Sequence, residues 1–151
     1  MDEIEAGLKD FLNYWFAGCM GGIEELDESS QRKVLHACGR ACAESYTIQK
    51  FRETKEASPD LDTFLENLSK GPEAKYERIG PRTIKATYSS CGCDLVRLGL
   101  VKSPVLCECS AANLAENLRG SLGVEASVTV ESSILREAEQ CVLIATLEEK
   151  A

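Results

Sequence analysis

Cysteine is the residue type that gives this sequence its chemical character. The 151 residues include eight cysteines, at positions 19, 38, 42, 91, 93, 107, 109 and 141. Two couples have a single intervening residue, Cys91 with Cys93 and Cys107 with Cys109. Because the chain starts with acidic residues where a secretory signal would be basic, we expect metal ligation, thiol chemistry or buried thiols rather than a disulfide framework.

The two couples predict a metal site. In an extended strand, residues i and i+2 face the same side at roughly 6.6 Å between Cα atoms, and a bend at Gly92 would bring the first couple closer together. Four thiolates at about 2.3 Å from a tetrahedral zinc ion would then close a structural site formed by Cys91, Cys93, Cys107 and Cys109. An iron–sulfur cluster is an alternative for the same donors, and a third hypothesis is that they are buried thiols without metal.

The remaining cysteines divide into two kinds. Cys38 and Cys42 are four residues apart in a predicted helix, so they lie one above the other and are candidate second-tier ligands. His36 is two residues before Cys38, which puts it on nearly the opposite face. Cys19 and Cys141 share their faces with apolar residues and are predicted to pack in the core.

Cys109 is also the best nucleophile candidate. It precedes Ser110, the predicted cap of a helix, and the exposed N–H groups of a helix start stabilise a thiolate and lower its pKa. A single histidine on another helix does not support a Cys-His pair. Hydrolysis would therefore use either the Cys109 thiolate or a metal-bound water.

Helices are predicted to fill residues 1–73. A helix over about 3–19 places one set of side chains on a single face: Ile4, Leu8, Phe11, Leu12, Trp15 and Cys19. Gly21 and Gly22 are expected to end it, and Asp27 to cap a second helix that continues toward residue 52. A third helix should start at 58–60 and end before Gly71.

Strand signals follow residue 73. A hairpin is predicted over about 74–89, then a helix from Ser110 to Gly123, then strands over about 124–130 and 141–147. The order of three helices followed by β-β-α-β-β predicts an α+β fold, with helices packed on a four-stranded antiparallel sheet. The length fits a single domain over 1–151, with a helical part at 1–73 and a cysteine-bearing part at 74–151.

Charge excludes several classes of partner. The formal net charge is −8, and an acidic chain without a basic block repels phosphate backbones and anionic lipid. No apolar run approaches the ~20 residues of a membrane-spanning helix. We therefore expect a cytoplasmic protein that binds neither nucleic acid nor membrane, with an open sheet edge that leaves room for a homodimer.

Residues 83–147 resemble the vinyl-reductase type of hydrocarbon-binding domain and the related aminothiazoline-carboxylate hydrolase-like proteins. The resemblance lies in the segments 88–93, 107–110 and 128–136 and in Cys141. It implies an α+β domain related to small subunits of the vesicle-tethering transport particle, with a small-molecule pocket between helix and sheet and a cysteine-bound metal. The sequence departs from the family pattern at 136–138, where a glycine is expected.

Three functional hypotheses follow. The first is a cytosolic small-molecule-binding or sensor module with a thiolate-bound zinc ion. It would bind a small apolar or heterocyclic ligand in a cavity lined by Phe11, Trp15, Tyr88 and Leu114. The second is a small hydrolase acting on a cyclic or amide-like substrate. The third is a redox or interaction protein in which neighbouring cysteines cycle between dithiol and disulfide.

Overall fold

The computed structural model describes residues 3–90 and 93–149, so Cys91 and Gly92 lie outside the described part of the chain. The helices are α1 (Glu3–Glu24), α2 (Glu28–Cys42), α3 (Ile48–Glu56), α4 (Leu61–Leu68), α5 (Asp94–Arg97) and α6 (Cys107–Leu122). The strands are β1 (Ala74–Gly80), β2 (Thr83–Tyr88), β3 (Ala126–Ser132) and β4 (Cys141–Leu147). The four strands form one antiparallel sheet in the order β1-β2-β4-β3, which confirms the predicted α+β class and the β-β-α-β-β arrangement.

The main core lies between this sheet and the helices on one of its faces. Ile84 of β2 and Ala145 of β4 are opposite each other in the register and are almost fully buried. Phe64 of α4 and Leu118 of α6 cover them and have no exposed surface. Alternating apolar positions on the strands and 3.6-residue spacing on the helices produce this packing.

A second, smaller core lies at the other end of the helical layer. Its buried members come from α1, α2 and the segment 100–106, and they are Met20, Ile23, Leu35, Leu100, Val101 and Leu106. Cys19 is partly buried against this cluster, and Cys141 is partly buried against the main core, as predicted.

Two helix boundaries differ from the sequence prediction. Gly21 and Gly22 do not end α1, which continues to Glu24 because Met20 and Ile23 bury their side chains there. Asp60 rather than Ser58 caps α4, since its carboxylate accepts the Thr63 N–H at 2.7 Å. The packing of α1 therefore outweighs the low helix propensity of its glycines.

The long helix after Asp27 was predicted to continue past Cys42, and it does so through a π-helical turn. Asp27 caps α2 by accepting the Ser30 N–H at 2.8 Å. The π turn, Ala43–Thr47, then leads directly into α3. A π turn shifts the faces of the helix that follows it, so α2 and α3 both pack against α6.

Candidate thiol site

The packing of α2 on α6 determines which cysteines meet. Gly39 of α2 lies at the crossing, where a Cβ atom would be 2.8 Å from the Ala112 Cβ and 3.0 Å from the Asn113 backbone nitrogen, and would overlap the Cys109 carbonyl oxygen. The absence of a side chain at Gly39 lets the two helices approach to backbone contact. Cys38 and Cys42 are thereby held beside the first two turns of α6.

Four cysteines lie near enough to this crossing for the charge of one thiol to affect another, and we call them the four-thiol group: Cys38, Cys42, Cys93 and Cys109. They come from α2, from the residue before α5, and from α6. All four are free thiols, with Cys38 and Cys42 exposed and Cys93 and Cys109 half-buried. Residues distant in sequence therefore share one environment that is open to solvent on the α2 side.

Burial and the neighbouring thiols raise the pKa values of Cys109 and Cys42. Burial is the main cause that raises the pKa of Cys109 to about 12, and charge repulsion from the neighbouring Cys38, Cys42 and Cys93 adds to this rise. Burial also raises the pKa of Cys42, with a contribution from Cys93 and an opposing hydrogen bond to Asn113. Both thiols are protonated at neutral pH.

The expectation that a helix start lowers the pKa of Cys109 is wrong. The helix α6 starts at Cys107, so Cys109 is its third residue, and its side chain is partly buried against the second core. Desolvation disfavours the charged thiolate there more than the helix dipole favours it. As a nucleophile, Cys109 is weak at neutral pH.

Cys107 is placed apart from Cys109. Its buried Sγ shares a hydrogen bond with Ser133 Oγ at 2.9 Å, beneath the turn after β3. Residues i and i+2 face the same side on a strand but are about 200° apart around a helix. Because 107–109 is helical, this couple does not converge on one point. Cys91 lies outside the described residues.

Within residues 3–90 and 93–149, no group of three or more His, Cys, Asp or Glu side chains is arranged to hold a metal ion as it stands. The zinc site and the iron–sulfur alternative stay predictions. The donor set of the four-thiol group suits a soft cation chemically, since thiolates prefer zinc and other soft metals.

The predicted apolar cavity is not formed by the four residues assigned to it. Phe11 and Trp15 are more than half exposed on α1, and Leu114 is buried in the main core. Tyr88 is packed edge-on against Tyr76, with ring centroids 6.2 Å apart. The prediction failed because the face of α1 that carries Phe11 and Trp15 is not turned toward the protein.

A groove of about 350 Å³ lies instead between α1 and the segment 99–103. Phe16, Met20 and Leu100 are among its lining residues. It is separate from the four-thiol group, none of whose members lines it.

Sequence reasoning missed two polar contacts around the thiols. His36 Nε2 lies 3.1 Å from Glu108 Oε2 and so joins α2 to the first turn of α6. Asn113 hydrogen-bonds Cys42 and lies in a ring of side-chain hydrogen bonds with Thr47 and Asn117. The one available signal for the crossing was Gly39, a glycine in a helix interior where glycine is disfavoured.

The turn before Cys141 contains a left-handed residue within 136–138, the positions at which the resemblance led us to expect a glycine. Glu137 adopts φ 69°, and among the described residues it alone takes a positive φ without being glycine. It is the left-handed residue after the short turn Ile134–Arg136. A side chain therefore occupies a conformation that glycine adopts at lower cost.

Comparison with known proteins defines the fold. No protein-family model matches the chain, and no curated protein matches it. Among solved structures, the chain is similar to a trafficking protein particle complex subunit 3 from Naegleria fowleri, covalently bound to palmitic acid. The match covers 98% of this chain and 98% of that chain, with a TM-score of 0.60 and 10% identity. The predicted relation to transport-particle subunits is confirmed at the level of the fold.

Two H-NOX structures are more distant neighbours. An H-NOX protein from S. oneidensis in the Fe(II)NO state covers 78% of this chain and 66% of its own, with a TM-score of 0.48 and 15% identity. The H-NOX domain from Shewanella oneidensis in the Fe(II)CO state covers 79% of this chain and 66% of its own, with a TM-score of 0.46 and 15% identity. The resemblance to vinyl-reductase-type and hydrolase-like proteins stays a prediction.

Among the described residues, no helix combines the length and apolar character needed to cross a bilayer.

Proposed function

We propose that the chain is a thiolate metal-binding module, with zinc as the preferred ion and the four-thiol group as its ligands. The observation that supports the proposal is that Cys38, Cys42, Cys93 and Cys109, from three separate segments, lie near enough to affect one another's ionisation. Compared with the ligand set predicted from spacing, this set keeps Cys93 and Cys109, takes in the second-tier Cys38 and Cys42, and leaves out Cys107, while Cys91 lies outside the described residues. The proposed role is that of a small-molecule or metal sensor in the cytoplasm.

The electrostatics of the group support a cation. Each thiolate raises the pKa of Cys109, so the thiols by themselves keep their protons. A divalent cation reverses this preference, because it binds thiolates and releases the protons that the thiols carry. Solvent reaches the group through the exposed Cys38 and Cys42.

Binding would also couple the site to folding. The described side chains do not form a ready set of three ligands, so the metal would have to draw the thiols together. Cys93 precedes the four-residue helix α5, and the other three thiols belong to the α2–α6 crossing. Metal bound by both parts would tie the segment before α5 to the crossing and stabilise the folded chain.

The two alternatives make different demands. A thiol hydrolase needs a thiolate at neutral pH, and a pKa of about 12 leaves about one Cys109 in 10⁵ ionised at pH 7. A redox protein needs two thiols that form a disulfide, and the exposed Cys38 and Cys42 are the accessible ones. The small apolar or heterocyclic ligand stays a prediction, for which the groove beside Phe16 is the site to test.

Elemental analysis of anaerobically purified protein tests the proposal. We expect about one zinc per chain, and loss of that zinc in Cys38→Ser, Cys42→Ser, Cys93→Ser and Cys109→Ser. Cys107→Ser and Cys141→Ser are matched controls that should keep the metal, since the Cys107 thiol is bonded to Ser133 and Cys141 packs against the main core. Cobalt substitution should add a thiolate charge-transfer band that disappears in the same four variants.

Two results would contradict the proposal. Zinc that is retained in Cys38→Ser and Cys109→Ser would place the metal elsewhere. Metal-free protein that takes up no added zinc, but loses two titratable thiols on mild oxidation, would favour the redox alternative.

A further inference from the structure

The first helix has two apolar faces, and the protein covers one of them. The inner face packs on the second core through Phe16, Met20 and Ile23. The outer face carries Ile4, Leu8, Phe11 and Trp15, which are 82%, 55%, 59% and 55% exposed. Their spacing of four, three and four residues forms a single straight stripe along α1. A soluble chain rarely leaves so many large apolar side chains on one face without a partner.

Glycines lie in the same stripe. Gly7 and Gly18 are within α1, and a Cβ atom added at either would meet nothing within 4 Å. Among the described residues, nothing therefore requires glycine at these two positions, although glycine weakens a helix. Glycines on a helix surface allow another backbone or a large side chain to approach closely.

We propose that α1 pairs in antiparallel fashion with α1 of a second copy of this chain, about a two-fold axis at Phe11. In this register the residues equidistant from Phe11 face each other. Gly7 of one copy is then opposite Trp15 of the other, and Gly18 is opposite Ile4. Two of the three large side chains outside the centre therefore face a glycine, and the third, Leu8, faces Tyr14, which is 82% exposed and adds to the apolar contact.

Charge selects the antiparallel direction. The acidic residues Glu3 and Glu5 lie in the first turn of α1, and a parallel pair would bring those of both copies together. An antiparallel pair separates them by the length of the stripe and places each helix N-terminus near the C-terminal half of its partner, which the helix dipoles also favour.

The size of the stripe fits a small, reversible dimer. From Ile4 to Gly18 it covers 15 residues of α1, or about 22 Å of helix. Four apolar side chains per copy, each more than half exposed, bury on the order of 1,000 Å² in total when both copies are counted, which is near the lower limit for a specific interface. We expect dissociation in the micromolar range.

A lipid surface is the other occupant that an apolar helix face suggests. Helices that lie on anionic membranes carry a basic polar face, whereas Lys9 is the one basic residue of α1 against Glu3, Glu5, Asp10 and Glu24. The charges therefore favour a second copy.

Sedimentation velocity of the whole chain under reducing conditions, from about 1 to about 200 µM, tests the pairing. We expect a monomer–dimer equilibrium that Phe11→Glu weakens at least about 100-fold, since it places two carboxylates on the axis. Ile79→Glu is the matched control, because Ile79 is 53% exposed on β1 and outside the interface. It should dimerise like the unchanged chain.

A second pair of variants separates the interface from the fold. Gly18→Leu should raise the helix content of the monomer and still weaken the dimer, because the new side chain occupies the space for Ile4 of the other copy. Gly21→Leu, which also meets nothing within 4 Å but lies off the stripe, should leave the dimer unchanged.

Three outcomes would overturn the proposal. The first is a chain that stays monomeric at all concentrations. The second is a dimer that survives both Phe11→Glu and Gly18→Leu. The third is a monomer that sediments with neutral phosphatidylcholine vesicles and loses this in Phe11→Glu, which would assign the stripe to lipid.

Discussion

Gly39 of α2 lies directly against the backbone carbonyl of Cys109 in α6. This contact fixes the separation of the two helices at the point where three members of the four-thiol group lie. A helix interior is an unfavourable place for glycine, so the contact stabilises the crossing at the expense of the isolated helix. The position of the thiols therefore depends on a residue that has no side chain.

Replacing this glycine should disturb both stability and the site. In Gly39→Ala the methyl group meets backbone atoms, which cannot rotate away, so α2 must move outward. We expect the free energy of unfolding to fall by about 1–3 kcal/mol, with weaker zinc binding, as measured by urea denaturation and chelator competition.

Two further glycine variants are controls for this prediction. Gly71→Ala meets nothing within 4 Å and should change stability little. The Cβ of Gly120→Ala would overlap the end of the Ile48 side chain, which can change rotamer, so the loss should be smaller than at Gly39. Equal losses at Gly39 and Gly71 would contradict the role of the crossing.

Ser133 should be a structural residue with no part in metal binding. It is 1% exposed, shares a hydrogen bond with Cys107 Sγ, and accepts the Leu135 N–H at 3.1 Å. Ser133→Ala leaves both partners unsatisfied and should cost about 1–3 kcal/mol. Ser132→Ala, at a partly exposed position, is the control and should cost less. Zinc content that falls in Ser133→Ala while the fold is intact would bring Cys107 back into the ligand set.

The fold was largely predictable because its signals are local. Alternation in β2 and β4 and the cap at Asp27 depend on neighbouring residues, and they predicted the correct elements. The orientation of α1 was not predictable in the same way. Both of its faces are apolar, so periodicity could not decide which of Phe11 and Phe16 turns inward.

The site was only partly predictable, since its grouping depends on tertiary structure. The sequence identified Cys38, Cys42, Cys93 and Cys109 as ligand candidates, but spacing joined Cys109 to Cys107. That inference assumed extended backbone at 107–109, where the chain is already helical. The rise in the pKa of Cys109 likewise comes mainly from burial in the folded chain, with a contribution from thiols of α2 that are about 70 residues away in sequence.

The hydrogen-bond ring behind the site should contribute to stability. Thr47 Oγ1 donates to Asn117 Oδ1 at 3.1 Å, and Asn117 Nδ2 donates to Asn113 Oδ1 at 3.0 Å. Asn117 is 2% exposed, so Thr47→Val leaves its oxygen without this donor and should cost about 1–3 kcal/mol. Thr54→Val is the control, because Thr54 donates only to a helix carbonyl. Similar losses of unfolding free energy in both variants would show that the ring contributes no more than an ordinary hydrogen bond to a helix carbonyl.

Glu137 offers a stabilising change. Because it holds φ 69° at the turn before β4, Glu137→Gly should raise the free energy of unfolding by about 0.5–1 kcal/mol. The same change at the exposed Glu139, which has no positive φ, should lower stability instead, since glycine has more freedom in the unfolded chain. Thermal denaturation of both variants checks the sign. Destabilisation in both would contradict the strain at Glu137.

Alkaline pH should reveal the buried Cys109 thiol in metal-free protein. Its pKa is raised from 9.0 to about 12 in the folded chain, mainly by burial. Above pH 9 the unfolded chain loses this proton while the folded chain keeps it, so the contribution to stability is complete below pH 9 and is lost as pH rises toward 12. The loss is at most about 1.4 kcal/mol per pH unit, and solvent near the half-buried thiol reduces it.

Tyr76 and Tyr88, whose pKa values burial also raises, add a similar decline in stability at alkaline pH. Comparison with Cys109→Ser isolates the thiol, because both proteins keep the two tyrosines. We expect urea midpoints to fall less steeply between pH 8.5 and 10.5 in Cys109→Ser than in the unchanged chain. Parallel curves would mean that Cys109 is not desolvated at the α2–α6 crossing.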